Sequence, residues 1–167
     1  RYPPKKLEEF FKSSTTRRGL ASIVRGIATH GVTMPQQFGA PFLVVWDFTH
    51  ACNLKCKHCY QRADQPLPDE LTTEEARKLV KELSDADVVA LAFSGGEPLM
   101  RKDFMEIASY ASELGMYVAL ATNGTLITRE VAQQLKEAGV GYVEISLDGA
   151  TAKTHDEFRG VPGAYEK

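Results

Sequence analysis

From Phe42 onward the sequence alternates short apolar runs with stretches whose apolar residues recur at helical spacing, and this alternation limits the fold more than any other feature. Phe42 to Phe48 predicts a buried strand. Thr72, facing Glu75 three residues on, opens a helix through a capping box, and Ala76, Leu79, Val80 and Leu83 give that helix one apolar face. Val88 to Phe93 predicts a second buried strand. Phe104, Ile107, Ala108, Ala111 and Leu114 line the next helix, which Gly115 can end because glycine accepts the left-handed conformation. Tyr117 to Ala121 predicts a third strand, Thr128 caps a helix carrying Val131 and Leu135 that Gly139 can stop, and Tyr142 to Leu147 predicts a fourth. Strands alternating with helices in this way pack as parallel βαβ units with right-handed crossovers. The fold class is therefore α/β, an open sheet or part of a barrel, and in either case reactive residues gather at the carboxyl ends of the strands.

Composition narrows the function classes. A chain of 167 residues, 43% hydrophobic and 25% charged, can bury a core of its own. It has no apolar stretch of transmembrane length and no secretory leader pattern, so the expectation is a cytoplasmic protein without a membrane span. Charge is uneven: Arg1 to His30 carries seven Lys or Arg against two Glu, and the remainder thirteen against twenty acidic residues. Residues 1–41 read as an N-terminal helical arm, an amphipathic helix whose stripe of Leu20, Ile23, Val24 and Ile27 packs on the body and leaves Arg17, Arg18 and Arg25 in solvent. The body is acidic and has no extended basic face with interleaved aromatics, which speaks against nucleic acid as a partner.

All three cysteines fall in one run after the first strand, Cys52-Asn53-Leu54-Lys55-Cys56-Lys57-His58-Cys59. An odd count, tiny loops and a reducing compartment make a disulfide a poor reading. Structural zinc needs four ligands, and His50 or His58 would have to supply the fourth, so that alternative stays open. Thiolates are also the usual ligands of iron–sulfur clusters, and three of them leave one iron of a four-iron cubane without a protein ligand, open to a cofactor or substrate. Lys55 and Lys57 flank Cys56 and would offset part of such a cluster's negative charge.

The later strand ends carry matching features. Ser94-Gly95-Gly96-Glu97-Pro98 follows the second strand, with two glycines that let backbone approach a ligand and a carboxylate for an ammonium group. Thr122-Asn123-Gly124 follows the third strand, Ser146-Leu147-Asp148-Gly149 the fourth, and His155-Asp156-Glu157-Phe158-Arg159-Gly160 comes shortly after. Each, taken alone, is also an ordinary turn or helix-surface sequence.

Together, and in this order, these segments resemble the radical S-adenosylmethionine (radical SAM) superfamily from about Phe42 to the end of the chain. The resemblance implies a partial (β/α)6 TIM-like barrel, of which residues 42–167 are the N-terminal portion, with further barrel units expected to follow. It implies a [4Fe-4S] cluster on Cys52, Cys56 and Cys59, whose open iron is chelated by S-adenosylmethionine (SAM) and whose electron cleaves that cofactor to methionine and a 5′-deoxyadenosyl radical. The matching residues at the cofactor are Gly95, Gly96 and Glu97 at the methionine amino group, Thr122, Asn123, Ser146 and Asp148 at the ribose and carboxylate, and Arg159 near the same groups. His58 stands where many members place an aromatic residue near the adenine. The helical segment before the first strand and the segments at Ser146 and His155 resemble the SPASM/twitch branch. That branch implies a peptide, tetrapyrrole or other organic substrate and an electron donor such as ferredoxin or flavodoxin. A nucleotide or small-metabolite substrate, or a non-catalytic zinc or electron-transfer site, are the alternatives.

Overall fold

A computed structural model describes residues 12–167. Helix α1 (Ser14–His30) leads into strand β1 (Leu43–Thr49); α2 (Thr73–Asp85), β2 (Ala90–Gly95), a short 3-10 turn (Pro98–Met100), α3 (Phe104–Glu113), β3 (Tyr117–Thr122), α4 (Arg129–Glu137), β4 (Val140–Ile145) and α5 (Ala152–Arg159) follow. The strands form one parallel sheet in the order β1-β2-β3-β4. Register runs Trp46 to Phe93 and Asp47 to Ser94 across the first pair, Phe93 to Leu120 across the second, and Leu120 to Val143 across the third. The capping box at Thr72 and Glu75 forms as the sequence predicts, and Thr128 caps α4.

Helices cover one face of the sheet. The core between them is built from Phe48, Leu91, Phe93, Val118 and Leu120 on the strands, Val80 on α2, and Phe104, Ile107, Ala108 and Ala111 on α3. Phe48, Phe93 and Phe104 meet edge to face with ring centroids 5.1, 5.2 and 6.0 Å apart, an arrangement aromatic quadrupoles favour. The other face of the sheet carries no helix among the described residues. β1 therefore alternates, with Leu43, Val45 and Asp47 exposed between half-buried Val44 and Trp46, and is not the fully buried strand its apolar run predicts. Opposite these residues on the open face lie Ala92, Ala119 and Tyr142 in one row and Ser94, Ala121 and Glu144 in the next.

The packing of α1 differs from the sequence expectation. Of its apolar stripe Leu20, Val24 and Ile27 are exposed and Ile23 is half-buried, while Ser22 and Gly26 are its buried residues. The chain returns tightly across them: the Gly39 amide bonds the Ser22 carbonyl at 2.9 Å, and a Cβ on Gly26 would sit 2.0 Å from the Gln37 carbonyl oxygen. Arg17 is exposed as predicted, but Arg18 turns inward and donates to the carbonyls of Ser84, Val88 and Leu114. Ser84 and Leu114 sit at the C-terminal ends of α2 and α3, where unpaired carbonyls favour a cation. Arg25, exposed, pairs with Asp87 at 2.5 Å. The basic residues Arg1, Lys5 and Lys6 lie outside the described residues. No helix among the described residues is long and apolar enough to cross a membrane.

Candidate active site

The segment after β1 folds back on itself. Ala51 pairs with Asp64, the Cys52 amide bonds the Asp64 carbonyl at 3.1 Å, and the Asp64 amide bonds the His50 carbonyl at 2.9 Å, closing a loop that holds all three cysteines. The His50 imidazole lies inside it, with Nε2 2.8 Å from the Gln61 carbonyl oxygen and Nδ1 3.2 Å from that of Gln65. Beneath the loop the Glu70 carboxylate accepts from the Thr49 hydroxyl at 3.0 Å, the His50 amide at 2.6 Å and the Leu67 amide at 3.1 Å. Burial pushes the Glu70 carboxyl up, but these amides and the hydroxyl, with the Arg101 charge nearby, outweigh it and hold the group below the ordinary carboxylate range. Arg101 lies 4.0 Å over the Phe48 ring, donates to the Phe48 carbonyl and is bound to Asp103. The three thiols are free and half-buried, and burial pushes that of Cys52 up.

The segment after β2 packs directly on this loop. The Gly96 amide bonds the Thr49 carbonyl at 2.8 Å and the Glu97 amide bonds the Ala51 carbonyl at 2.7 Å. A Cβ on Gly95, whose φ is +116°, would fall 2.5 Å from the Thr49 oxygen, and one on Gly96 2.2 Å from the Ala51 oxygen. The paired glycines thus admit the backbone of the cysteine loop as well as exposing their own backbone to the cleft. Glu97 is fully buried: its carboxylate accepts from the Thr122 hydroxyl and the Asn123 amide, both at 2.8 Å, and from the Leu99 amide at 3.2 Å. Burial pushes this carboxyl up against the pull of those donors. Asn123 is fixed through its side chain as well, which donates to Asn53 Oδ1 and accepts from the Thr125 hydroxyl, while Asn53 donates to that same hydroxyl. Asn53, between the first two cysteines, therefore ties the cysteine loop to the end of β3, a tie with no signal in the local sequence.

The third support comes from α5. The amides of Lys55 and Lys57, on either side of Cys56, bond the last carbonyls of the helix, Arg159 at 3.0 Å and Phe158 at 2.9 Å. The Arg159 side chain, 7% exposed, pairs with Asp148 at 2.6 Å, reaches Cys56 Sγ at 3.5 Å, and leaves its buried Nε–H without a partner. Lys55 and Lys57 are ion-paired with Asp64 and Glu157 and more than half exposed. His58 stacks on Phe158 at 4.6 Å.

One cleft at the carboxyl ends of the strands collects Cys52, Cys56, His58 and Cys59 from the loop, Gly95 and Gly96 after β2, Thr122 and Asn123 after β3, and Ser146 and Arg159 beyond β4. Of the residues the sequence singles out, Glu97 lies beneath the cleft and Asp148 beside it, behind Arg159. Tyr60 and Gln61 from the cysteine loop and Ser94 and Ala121 near the ends of β2 and β3 also line it; the place of Ala121 follows from strand register, which a single sequence does not display.

The donor set fits a polynuclear cluster better than a single ion. Among the described residues no three His, Cys, Asp or Glu side chains converge as a single-ion site. Both nitrogens of His50 face carbonyl oxygens, so this imidazole is not directed at the thiols, and His58 is stacked on Phe158. The orphaned Nε–H of Arg159 and the exposed glycine backbone supply polar contacts for an anionic ligand beside the thiols.

Residues 46–167 match the radical SAM superfamily. The chain belongs to that superfamily. Its cofactors are accordingly a [4Fe-4S] cluster and SAM. The chain is 51% identical over 125 residues to the Fe-coproporphyrin III synthase of Methanosarcina barkeri, covering 74% of this chain and 31% of that protein. It is 48% identical over 129 residues to the AdoMet-dependent heme synthase of the same organism, covering 77% of this chain and 37% of that one. The chain thus spans about a third of the length of these relatives. Streptococcus suis SuiB bound to its precursor peptide SuiA shares the fold, with a TM-score of 0.66 at 21% identity over 88% of this chain and 31% of that one. The parallel sheet, its alternating helices and the helix that precedes them are those of a radical SAM partial barrel.

Proposed function

We propose that residues 42–167 are the N-terminal portion of the barrel of a cytoplasmic radical SAM enzyme, preceded by a helical arm of residues 1–41. In this reading the enzyme reductively cleaves SAM at a cluster held by Cys52, Cys56 and Cys59 and abstracts hydrogen from a tetrapyrrole-like substrate. The observation that carries it is the meeting of three free thiols with glycine backbone and a buried arginine in one cleft at the strand ends. Bound together, the cluster and SAM supply one-electron, hydrogen-abstracting chemistry.

The protein's own residues bind and aim. The thiolates of Cys52, Cys56 and Cys59 would hold three irons of the cluster and leave the fourth without a protein ligand. Arg159 Nε–H and the backbone at Gly95 and Gly96 would hold the carboxylate and amino groups of the cofactor, and the Ser146 hydroxyl would serve its ribose. His58 and Tyr60 offer ring faces for the adenine. Glu97 acts one layer back, holding the cleft-lining Thr122 and Asn123 at the end of β3 against the end of β2. Asp148 holds Arg159. On the open face of the sheet the small side chains of Ala92, Ala119 and Ala121 leave room for a large, flat substrate.

The names of the two relatives at 48% and 51% identity support a tetrapyrrole. The second reading is a peptide, favoured by the fold shared with SuiB, which has been seen with its precursor peptide. The full-length protein, reconstituted without oxygen and reduced with dithionite, should give a four-iron electron paramagnetic resonance signal that changes shape when SAM is added. Release of 5′-deoxyadenosine should rise with at least one of a panel of iron tetrapyrroles bearing carboxylate side chains and not with a precursor peptide. The reverse preference would transfer the assignment to the peptide class, and a folded protein with zinc and no cluster would defeat both.

A further inference from the structure

We propose that Arg159 is a positioning residue for electron transfer: its guanidinium donates a charge-assisted hydrogen bond to Cys56 Sγ and raises the reduction potential of the cluster, with Asp148 as the opposing charge that limits the rise. The inference rests on the cluster assignment made above and adds a residue that governs how readily that cluster accepts its electron.

The geometry is fixed by backbone. Lys55 N and Lys57 N, the amides before and after Cys56, are bonded to the carbonyls of Arg159 and Phe158, so the thiol and the guanidinium are anchored to the same helix end. Gly160, at φ +73°, makes the approach possible, since a Cβ there would lie 2.3 Å from the Lys55 carbonyl oxygen. From this anchor Nη1 reaches Cys56 Sγ at 3.5 Å while Nη2 is held by Asp148 at 2.6 Å. A rigid planar fork holds both partners in one fixed geometry, which the single ammonium of a lysine does not.

The electrostatics single out this cation. Lys55 and Lys57 are closer in sequence to Cys56, but each is more than half exposed and paired with a carboxylate, so water and partner screen it. Arg159 is 7% exposed, in a setting where a charge acts more strongly on its neighbours. One-electron reduction adds a negative charge to the cluster and its thiolates. A cation and an N–H donor at one sulfur stabilise the reduced state more than the oxidised state, and hydrogen bonds to the sulfurs are among the factors that set such potentials. Asp148, at the far side of the guanidinium, subtracts from that effect.

Redox titration of the full-length, cluster-loaded protein without SAM, followed in the paramagnetic signal that SAM perturbs, tests this. Arg159→Gln should lower the midpoint enough to reduce the ratio of reduced to oxidised cluster about tenfold at a fixed poise, about 59 mV for one electron. Asp148→Asn should move it the opposite way. The Arg159→Gln/Asp148→Asn double variant removes both charges together and should stay below wild type, because the hydrogen bond to sulfur is still missing. Arg159→Lys, which keeps the charge and loses the fork, should fall between. Midpoints unmoved in Arg159→Gln and Asp148→Asn overturn the proposal. If Arg159→Gln cannot retain a cluster, an unmoved Asp148→Asn midpoint overturns it alone. A wild-type protein that binds no cluster would instead defeat the assignment on which the proposal rests.

Discussion

Two arginines are drawn into this molecule at opposite edges of one sheet, and their surroundings differ in kind. At the amino edge Arg18 gives its guanidinium to three backbone carbonyls, two of them at the ends of α2 and α3; it adds a second donor at Ser84, which also accepts from the Asp87 amide, and supplies one at Val88 and at Leu114. At the carboxyl edge Arg159 touches a carboxylate and a thiol and keeps one buried N–H unpartnered. Arg18 completes a hydrogen-bond inventory and ends it. Arg159 belongs to an inventory that closes only with something bound. Buried polarity of the first sort holds a fold together, and buried polarity of the second sort points to a site.

The sharpest way to break this comparison is to remove a thiol. Cys56→Ala should abolish the cluster and all SAM cleavage, measured as acid-labile sulfide and 5′-deoxyadenosine release, while the urea midpoint of the apoprotein stays near that of wild-type apoprotein. A variant that keeps a full four-iron cluster and its cleavage activity would show that the carboxyl edge is not built around these three residues.

Glu97 comes next, because it is the carboxyl-edge group that behaves like Arg18: fully buried, with three donors on its oxygens. Glu97→Ala leaves those donors unsatisfied and opens a cavity, and the expected loss is about 3 kcal/mol or more in unfolding free energy. Its pH signature has a definite sign. Burial raises this carboxyl above its unfolded value, so its contribution is fullest below the unfolded pKa and is lost as pH rises through the folded one. Stability that falls on the alkaline side in wild type, and less so in Glu97→Gln, would bear that out. If Glu97→Ala unfolds at the wild-type urea concentration and loses only SAM affinity, Glu97 is a ligand contact and not a structural hub.

Arg18→Ala sharpens the other side. Removing the Arg18 donor from the Val88 and Leu114 carbonyls, and the second donor from that of Ser84, should cost about 2 kcal/mol and leave the cluster potential untouched, measured by urea unfolding and redox titration on the same preparation. These contacts also mark the limit of what the sequence discloses. The βα alternation is legible because each strand and helix announces itself within a dozen residues, and the cysteine run and strand-end motifs are legible because each sits inside one loop. Arg18 reaches partners 66 to 96 residues away, and the apolar stripe on α1 points to the wrong packing face because the small pair Ser22 and Gly26 admits the returning chain more closely. The run from Cys52 to Cys59 reads as a set of ligands, yet nothing local reveals that α5 carries its support. Long-range hydrogen bonds have no period, so strand register and helix docking must be known before they can be seen.

The smallest effect lies where the two kinds of buried polarity meet. Glu70 sits under the cysteine loop, bonded to the Thr49 hydroxyl and to the amides of His50 and Leu67, and it touches no thiol. Its folded pKa is held below the unfolded carboxylate value of about 4.3, so the stability it contributes is present above that pH and is lost as pH falls through the folded pKa. Glu70→Gln retains one acceptor oxygen but places an NH2 group against donors, and should cost on the order of 1 kcal/mol near neutral pH. The same variant should flatten the acid limb of stability, because a neutral amide has no proton to gain. Urea midpoints measured from about pH 3 to 7 on wild type and Glu70→Gln test both statements at once. Curves that stay parallel would mean that the carboxylate is not ionised against those amides. A difference that shrinks toward acid would place Glu70 with Arg18, as a group that holds the loop in shape without taking part in what the loop binds.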